Sequence, residues 1–291
     1  MDPRILVVGC VSFDTIHLEN DRKATATFHT TGGAGLYTAL AAAYICASLQ
    51  SQHLRMVKPG FSKSVCLLAP RPEQLPDSLT FIEDWLDWIG PVVPLEAMPT
   101  LEIVHHGESR ATLLGASWGA ESLLRPDNSA VPALDSYSCA HVAALSSAGH
   151  QLSWSRHLRN SCGLLSAGTY ARAIAADAVG VRLLLENSDF FFMNSNEAAL
   201  LFATAGINCA VGQYLFVTDG SRGATLYESD KSAHIDAVAA RELDPTGAGD
   251  TFCGAVLAGL AVGLDPLDAA ARGAALASEI ISRPGSEFYR L

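Results

Sequence analysis

Short runs of consecutive apolar, often β-branched residues alternate along this chain with longer segments whose apolar positions recur at helical spacing. Ile5-Leu6-Val7-Val8-Gly9 is the first such run, closed by a glycine, and it reads as a buried strand. Gly33 to Leu49, with its stretch Ala39-Leu40-Ala41-Ala42-Ala43-Tyr44-Ile45, reads as a buried helix. Val65 to Ala69 predicts another strand, and Phe81 to Ile89 has the apolar spacing of a helix. Further on, strands are expected at His141 to Leu145, Gly163 to Ser166, Phe190 to Met193 and Tyr214 to Thr218. Helices are expected between them, about Gln151 to Arg159, Ala171 to Glu186 and Glu197 to Ala205. Strictly alternating strands and helices predict a parallel sheet with right-handed crossovers. Gly223 to Glu228 and Ala233 to Asp236 read as an antiparallel hairpin at its edge.

Two regions break this pattern. Asp14 to Leu18 with Ala24 to His29, and Leu101 to Val104 with Arg110 to Leu114, mix β-formers with polar residues, as half-exposed strand pairs do. Both lie in the N-terminal half, and they are the only material for a second layer or lid. No internal repeat, heptad run or linker divides the chain, so one domain over residues 1–291 is expected.

Composition sharpens the picture. Apolar residues make up 49% and charged residues 17%, the balance of a sheet covered by helices on both faces. A formal net charge of −11 argues against a nucleic-acid-binding surface, so any phosphate must be held by local donors. Seven cysteines without a Cys-x-x-Cys pair form neither a disulfide framework nor a zinc site. The first residues lack the apolar core of a signal peptide, and no charge-free apolar run reaches membrane-spanning length. A soluble, cytoplasmic protein that binds no membrane is the expectation.

Candidate chemistry centres on Asp244-Pro245-Thr246-Gly247-Ala248-Gly249-Asp250, which runs directly into the apolar segment Thr251 to Leu260. Two glycines flanking one alanine let the backbone turn tightly and present successive N–H groups at a helix start, where phosphate oxygens are attracted. Asp250 stands at the same point, placed to take a proton from an attacking hydroxyl. Gly32-Gly33-Ala34-Gly35 opens the first long helix and serves either a close ligand approach or plain helix entry. Asp14 follows the first strand's carboxyl end, where open α/β sheets place ligand groups, although a turn residue would also fit there. Asn194 and Glu197 offer oxygen ligands for hydrated magnesium, or a helix cap. Val217 to Gly223 is a glycine-punctuated turn. His105 and His106, adjacent in a strand, face opposite sides and do not make a metal site. Cys253 reads as a buried structural thiol. Neither a P-loop nor a dinucleotide fingerprint after Val8 is present, which sets aside P-loop enzymes and dinucleotide-dependent oxidoreductases.

Taken in order, these pieces resemble the ribokinase, or PfkB carbohydrate kinase, family over nearly the whole chain. The resemblance implies a three-layer α/β/α sandwich with a mostly parallel central sheet and a small β lid from about 14–31 and 100–115. It implies an anion hole at Gly247, Ala248 and Gly249 with Asp250 as catalytic base. Substrate contacts fall on Asp14, Gly32, Gly33, Tyr37 and Arg110. Nucleotide contacts fall on Asn194, Thr218, Gly220, Gly223, Thr246 and Gly247, with magnesium held by Glu197 and Asn194 through water. ATP and Mg2+ are the implied cofactors. Gly107-Glu108-Ser109-Arg110 is similar to the family's lid region and Arg283-Pro284-Gly285 to its C-terminal segment.

Three positions depart from the family. Tyr37 stands where an Asn usually touches the sugar, Ser166-Ala167-Gly168 replaces an acid at a strand end, and Arg272-Gly273-Ala274 replaces an Asn near the adenine. The implied activity is phosphoryl transfer from ATP to a hydroxyl of a sugar or polyol. A nucleoside kinase and a catalytically silent ligand-binding or regulatory relative are the alternatives. The exposed lid edges are compatible with a homodimer through the lid.

Overall fold

The computed structural model describes residues 4–20, 23–51, 63–106, 111–127, 134–203 and 206–290. The first apolar run forms β1 (Ile5–Val8), after which the chain leaves the core for β2 (Ser12–Asn20) and β3 (Lys23–Gly32) and returns as helix α1 (Ala34–Ser51). Then come β4 (Val65–Leu68), β5 (Arg71–Pro72), α2 (Ile82–Trp85), β6 (Asp87–Ile89) and β7 (Val92–Val93). A second excursion supplies β8 (Thr100–His105) and β9 (Ala111–Ser117). The alternating region gives β10 (Cys139–Val142), α3 (Ala148–Leu158), β11 (Leu164–Gly168), α4 (Ala171–Ala176), α5 (Ala178–Glu186), β12 (Phe190–Asn194), α6 (Ser195–Phe202) and β13 (Tyr214–Thr218). The hairpin β14 (Ala224–Glu228) and β15 (Lys231–Ile235) precedes α7 (Ala248–Ala261) and α8 (Pro266–Ile280).

Nine strands form the central sheet in the order β15-β14-β13-β12-β11-β10-β1-β4-β6. It is parallel from β13 to β6, and only the β14 and β15 hairpin runs antiparallel. Successive strand residues enter opposite cores: Ile5, Val7, Phe190 and Phe192 lie on one face, and Leu6, Val8, Phe191 and Met193 on the other. This is why the strands read as unbroken apolar runs. The face holding α1, α7 and α8 carries an aromatic stack, Phe192 on Phe216 with ring centroids 4.9 Å apart, and Phe252 meets both edge-on. All residues from Thr251 to Leu260 of α7 are buried. α1 approaches α7 so closely that a Cβ on Gly254 would stand 2.1 Å from the Thr38 carbonyl. The N-terminus of α7 is thereby held rigidly at the sheet's carboxyl edge.

A second sheet, β3-β2-β8-β9, projects from that edge; β2 and β8 run parallel with Asp14 opposite Leu101. It matches the two expected half-exposed strand pairs. Elsewhere the structure corrects the sequence reading. Phe81 to Ile89 is not one helix: α2 stops where Leu86 becomes extended (φ −147°, ψ 162°), and Asp87–Ile89 pairs in parallel with β4. The open edge of β4 competes for this apolar segment, and Trp88 is buried there with its Nε1 donating to the Ala69 carbonyl at 3.3 Å. The helix expected over Ala171 to Glu186 breaks at Asp177, whose carboxylate leaves the first helix to cap α5 at the Gly180 amide, 2.8 Å away. Among the described residues no helix is long and apolar enough to cross a membrane.

Candidate active site

The motif that ends in Asp250 forms a turn built on Asp244. This carboxylate is 2% exposed; its Oδ1 accepts from the Thr246 amide (3.0 Å) and hydroxyl (2.5 Å), and its Oδ2 from the Gly285 amide (2.8 Å). The chain can then turn into α7 only through Gly247, at φ +75° and ψ 4°. No side chain caps the helix. Ala248 donates its amide to the Pro245 carbonyl at 3.2 Å. The amides of Gly247, Gly249 and Asp250 find no protein acceptor among the described residues, so three N–H groups of the expected cradle stay available to an anion.

Asp250 is partly accessible at the mouth of this cradle. Protein packed around it nevertheless pushes its carboxyl from the ordinary 3.8 up to about 7, because burial penalises the charge. Such a group can hold or release a proton near neutrality.

Tyr37 lies against the cradle. A Cβ on Gly247 would be 2.4, 2.5 and 2.6 Å from its Cγ, Cδ2 and Cδ1, so the α-carbon packs on the face of the ring rather than its edge. The ring is 1% exposed, and its hydroxyl is buried with no partner. Next to it stands Gly32, where a Cβ would meet Tyr37 Cε2 at 3.5 Å and Asp14 Oδ2 at 2.1 Å. Asp14, on β2, is 2% exposed, and burial drives its carboxyl up to about 7. Ser12 and the Leu101 backbone oppose that rise as neighbouring dipoles. Asp14 Oδ1 and Ser12 Oγ nonetheless make no hydrogen bond of sound geometry. Asp14, Gly32, Gly33, Tyr37 and Gly247 are thus packed in one contiguous cluster. Arg110 lies outside the described residues.

On the other side of the cradle, the sheet register sets Asn194 opposite Thr218 at the carboxyl ends of β12 and β13. Asn194 and Glu197 form a reciprocal capping box: the Glu197 amide donates to Asn194 Oδ1 (2.9 Å) and the Asn194 amide to Glu197 Oε2 (2.8 Å). Glu197 is buried, and burial together with the charge of Asp250 pushes it up to about 7. No group of three or more His, Cys, Asp or Glu side chains that could cage a metal exists among the described residues. A magnesium ion that keeps most of its ligands as water and phosphate oxygens needs no such cage, and Glu197 and Asn194, reached through water, are compatible with one. Gly220 and Gly223, at φ +55° and +89°, frame the turn after β13, and Asp219 fixes it by accepting from Ser195 and Arg222.

Three residues that the sequence reading left out of the site belong to its frame. Asp244 holds the turn. His105, at the end of lid strand β8, places Nε2 2.8 Å from the Thr246 hydroxyl, while His106 faces outward to Thr112. Ser166, where the family's acid would stand, bonds His141 Nδ1 at 2.8 Å, and Cys253 Sγ lies 3.7 Å from Nε2 of the same ring. Burial lowers the His141 pKa to about 3, so this layer beneath α7 is neutral. Each of these residues carried a partial signal in the sequence: Asp244 heads the motif, Ser166 stands at one of the three departures, and His105 and His106 face opposite sides of a strand.

The chain is similar to known proteins in sequence and in fold. The profile of the pfkB family carbohydrate kinases matches residues 97–289. The chain is 32% identical over 111 residues to a nucleoside kinase of Methanocaldococcus jannaschii, covering 36% of each chain. It is 36% identical over 75 residues to an inositol 3-kinase of Arabidopsis thaliana, covering 26% of this chain and 21% of that one. The matched segments thus span about a third or less of these relatives. A ribokinase from Cryptococcus neoformans var. grubii serotype A, solved in complex with ADP, superposes with a TM-score of 0.73 at 17% identity, over 99% of this chain and 96% of that one.

Proposed function

Because this chain belongs to the pfkB family of carbohydrate kinases, we propose that it transfers the γ-phosphoryl group of ATP to a hydroxyl of a small polyhydroxylated acceptor, a sugar or polyol. The observation that carries the proposal is the meeting of three free amides, at Gly247, Gly249 and Asp250, with a carboxyl raised to about 7. The amides stabilise charge on the transferring oxygens, and Asp250 orients the acceptor hydroxyl and takes its proton as the bond to phosphorus forms. An alcohol is a very weak acid, so Asp250 takes the proton late and contributes mainly by positioning. Glu197 and Asn194 would hold magnesium through water, and the ion would supply neutralisation of the phosphate charge. Asn194, Thr218, Gly220, Gly223 and Thr246 line the nucleotide side.

The acceptor side favours hydroxyl recognition. Asp14 Oδ1, Ser12 Oγ and the Tyr37 hydroxyl are buried polar atoms that make no hydrogen bond of sound geometry inside the protein. Tyr37 has one face on Gly247 and almost no exposed surface, so it offers no stacking face for a base. This supports a sugar or polyol over a nucleoside. Coupled ADP release with magnesium and ATP, measured across ribose, fructose, myo-inositol, inosine and adenosine, decides the matter. Turnover with a hydroxyl-rich acceptor is expected. Turnover with inosine or adenosine alone would replace it by the nucleoside reading, and none with any acceptor would favour a silent relative.

Asp14→Ala removes a buried carboxyl that would hydrogen-bond the acceptor. A bond to a charged group is worth about 1.5–3 kcal/mol, so the acceptor KM should rise about ten- to a hundredfold while kcat changes only a few-fold. An unchanged acceptor KM in initial-rate measurements would remove Asp14 from the site.

A further inference from the structure

Among the described residues, the His105–Thr246 hydrogen bond joins the lid to the anion cradle, and its polarity can be assigned. Asp244 Oδ1 is an acceptor only, so the single proton of the Thr246 hydroxyl is donated to it across 2.5 Å. The Thr246 oxygen must therefore accept from His105 across 2.8 Å, which places the imidazole proton on Nε2. His105 is 5% exposed, and its Nδ1 is buried with no partner. An apolar residue at this strand position would avoid that unpaired nitrogen, so packing alone does not account for a histidine here. The titratable groups facing the ring are Asp244, whose Oδ1 is 3.7 Å from Nε2, Glu242 and His106.

The lid meets the same node from its other strand pair. Thr31 on β3 bonds Ser286 at 2.9 Å, in the C-terminal turn whose Gly285 amide donates to Asp244 Oδ2. Lid strands β8 and β3 therefore both converge on Asp244, one through Thr246 and one through the C-terminal turn. Asp244 in turn fixes the residue immediately before Gly247.

We propose that His105 is a positioning residue of the phosphoryl-transfer site: delivered by the lid, it fixes Thr246 and hence the conformation of the Gly247 to Asp250 cradle. An anion hole that is fully set only when the lid is down would couple transfer to the presence of the covered acceptor. The catalytic part of this inference rests on the kinase reading above. The structural part does not.

The experiment measures hydrogen exchange, residue by residue, in the free full-length protein. His105→Leu should raise the exchange of the Thr246 and Ala248 amides about tenfold or more, together with β8, and leave β12 unchanged. His105→Gln, which keeps an N–H donor at nearly the same reach, should restore wild-type exchange. If His105→Leu does not fold, Thr246→Val opens the same bond from the other side, and the β8 amides are then the readout. Loosening confined to the substituted strand would overturn the proposal, since a purely structural lid contact predicts that result. Released phosphate is then compared with phosphorylated product, with ATP, magnesium and the acceptor that turns over best in the wild-type screen. His105→Leu should shift the ratio toward hydrolysis about tenfold, and an unchanged ratio would remove the catalytic role. A wild-type protein without ATP turnover would sink the kinase reading while the exchange measurement still decides the link between lid and cradle.

Discussion

Replacing Asp250 by Asn is expected to lower phosphoryl transfer by about a hundredfold to ten-thousandfold, the range of a lost general base, while ADP binding by calorimetry stays near the wild-type value. The substitution keeps size and hydrogen-bonding capacity but removes the proton acceptor. Its pH signature is the sharper test. Burial raises the Asp250 carboxyl to about 7, so its base form exists only above that value, and wild-type kcat should climb as pH rises through about 7. The variant's residual rate should lose that step.

Stability must move in the opposite sense. Asp14, Glu197 and Asp250 each have a folded value raised to about 7, so the fold holds more protons than the unfolded chain between about pH 4 and 7. The stability this contributes is fully present at low pH and is lost as pH rises through 7. Asp250→Asn removes one of these buried charges and should unfold at a higher temperature than wild type at pH 8, although it is nearly inactive. Near-normal turnover, or a pH step of undiminished height, would take the base role away from Asp250.

This site trades stability for function, and that trade explains what could be read from the sequence. The parallel core was legible because burial on both faces makes each strand a continuous apolar run, as in Ile5 to Val8 and Phe190 to Met193. The segment Phe81 to Ile89 was not, because its apolar spacing suits a helix and only the open edge of β4 converts part of it to strand. Among site residues, the cradle and its acid were legible through local geometry: two glycines, one at positive φ, immediately before a buried helix. The roles of Asp244 and His105 were not, since they depend on contacts to Gly285 and Thr246, 41 and 141 positions away in sequence. Asn194 and Glu197 carried two meanings in the sequence, and in the structure the capping box is made while the carboxyl of Glu197 is raised by burial and, to a lesser degree, by Asp250.

Gly247→Ala should be as damaging as loss of the base, for two separable reasons. The residue sits at φ +75°, where a side chain costs about 1–2 kcal/mol of backbone strain. The new methyl would also stand 2.4 Å from Tyr37 Cγ, and that ring is 1% exposed and held in the core, so it cannot yield cheaply. Relief must come from the cradle, which moves the free amides away from the transferring phosphoryl group. Losing one such donor costs about a hundredfold to a thousandfold in kcat, and overpacking should lower stability by about 1–3 kcal/mol in denaturant titration. Combining Gly247→Ala with Tyr37→Ala separates the causes. The double variant removes the steric clash and should regain part of the kcat lost in Gly247→Ala, while the strain at positive φ persists and keeps it below Tyr37→Ala alone. Equal activity of Gly247→Ala and wild type would mean that the backbone at this position does not form the anion hole, and the free amides would then have to serve the fold alone.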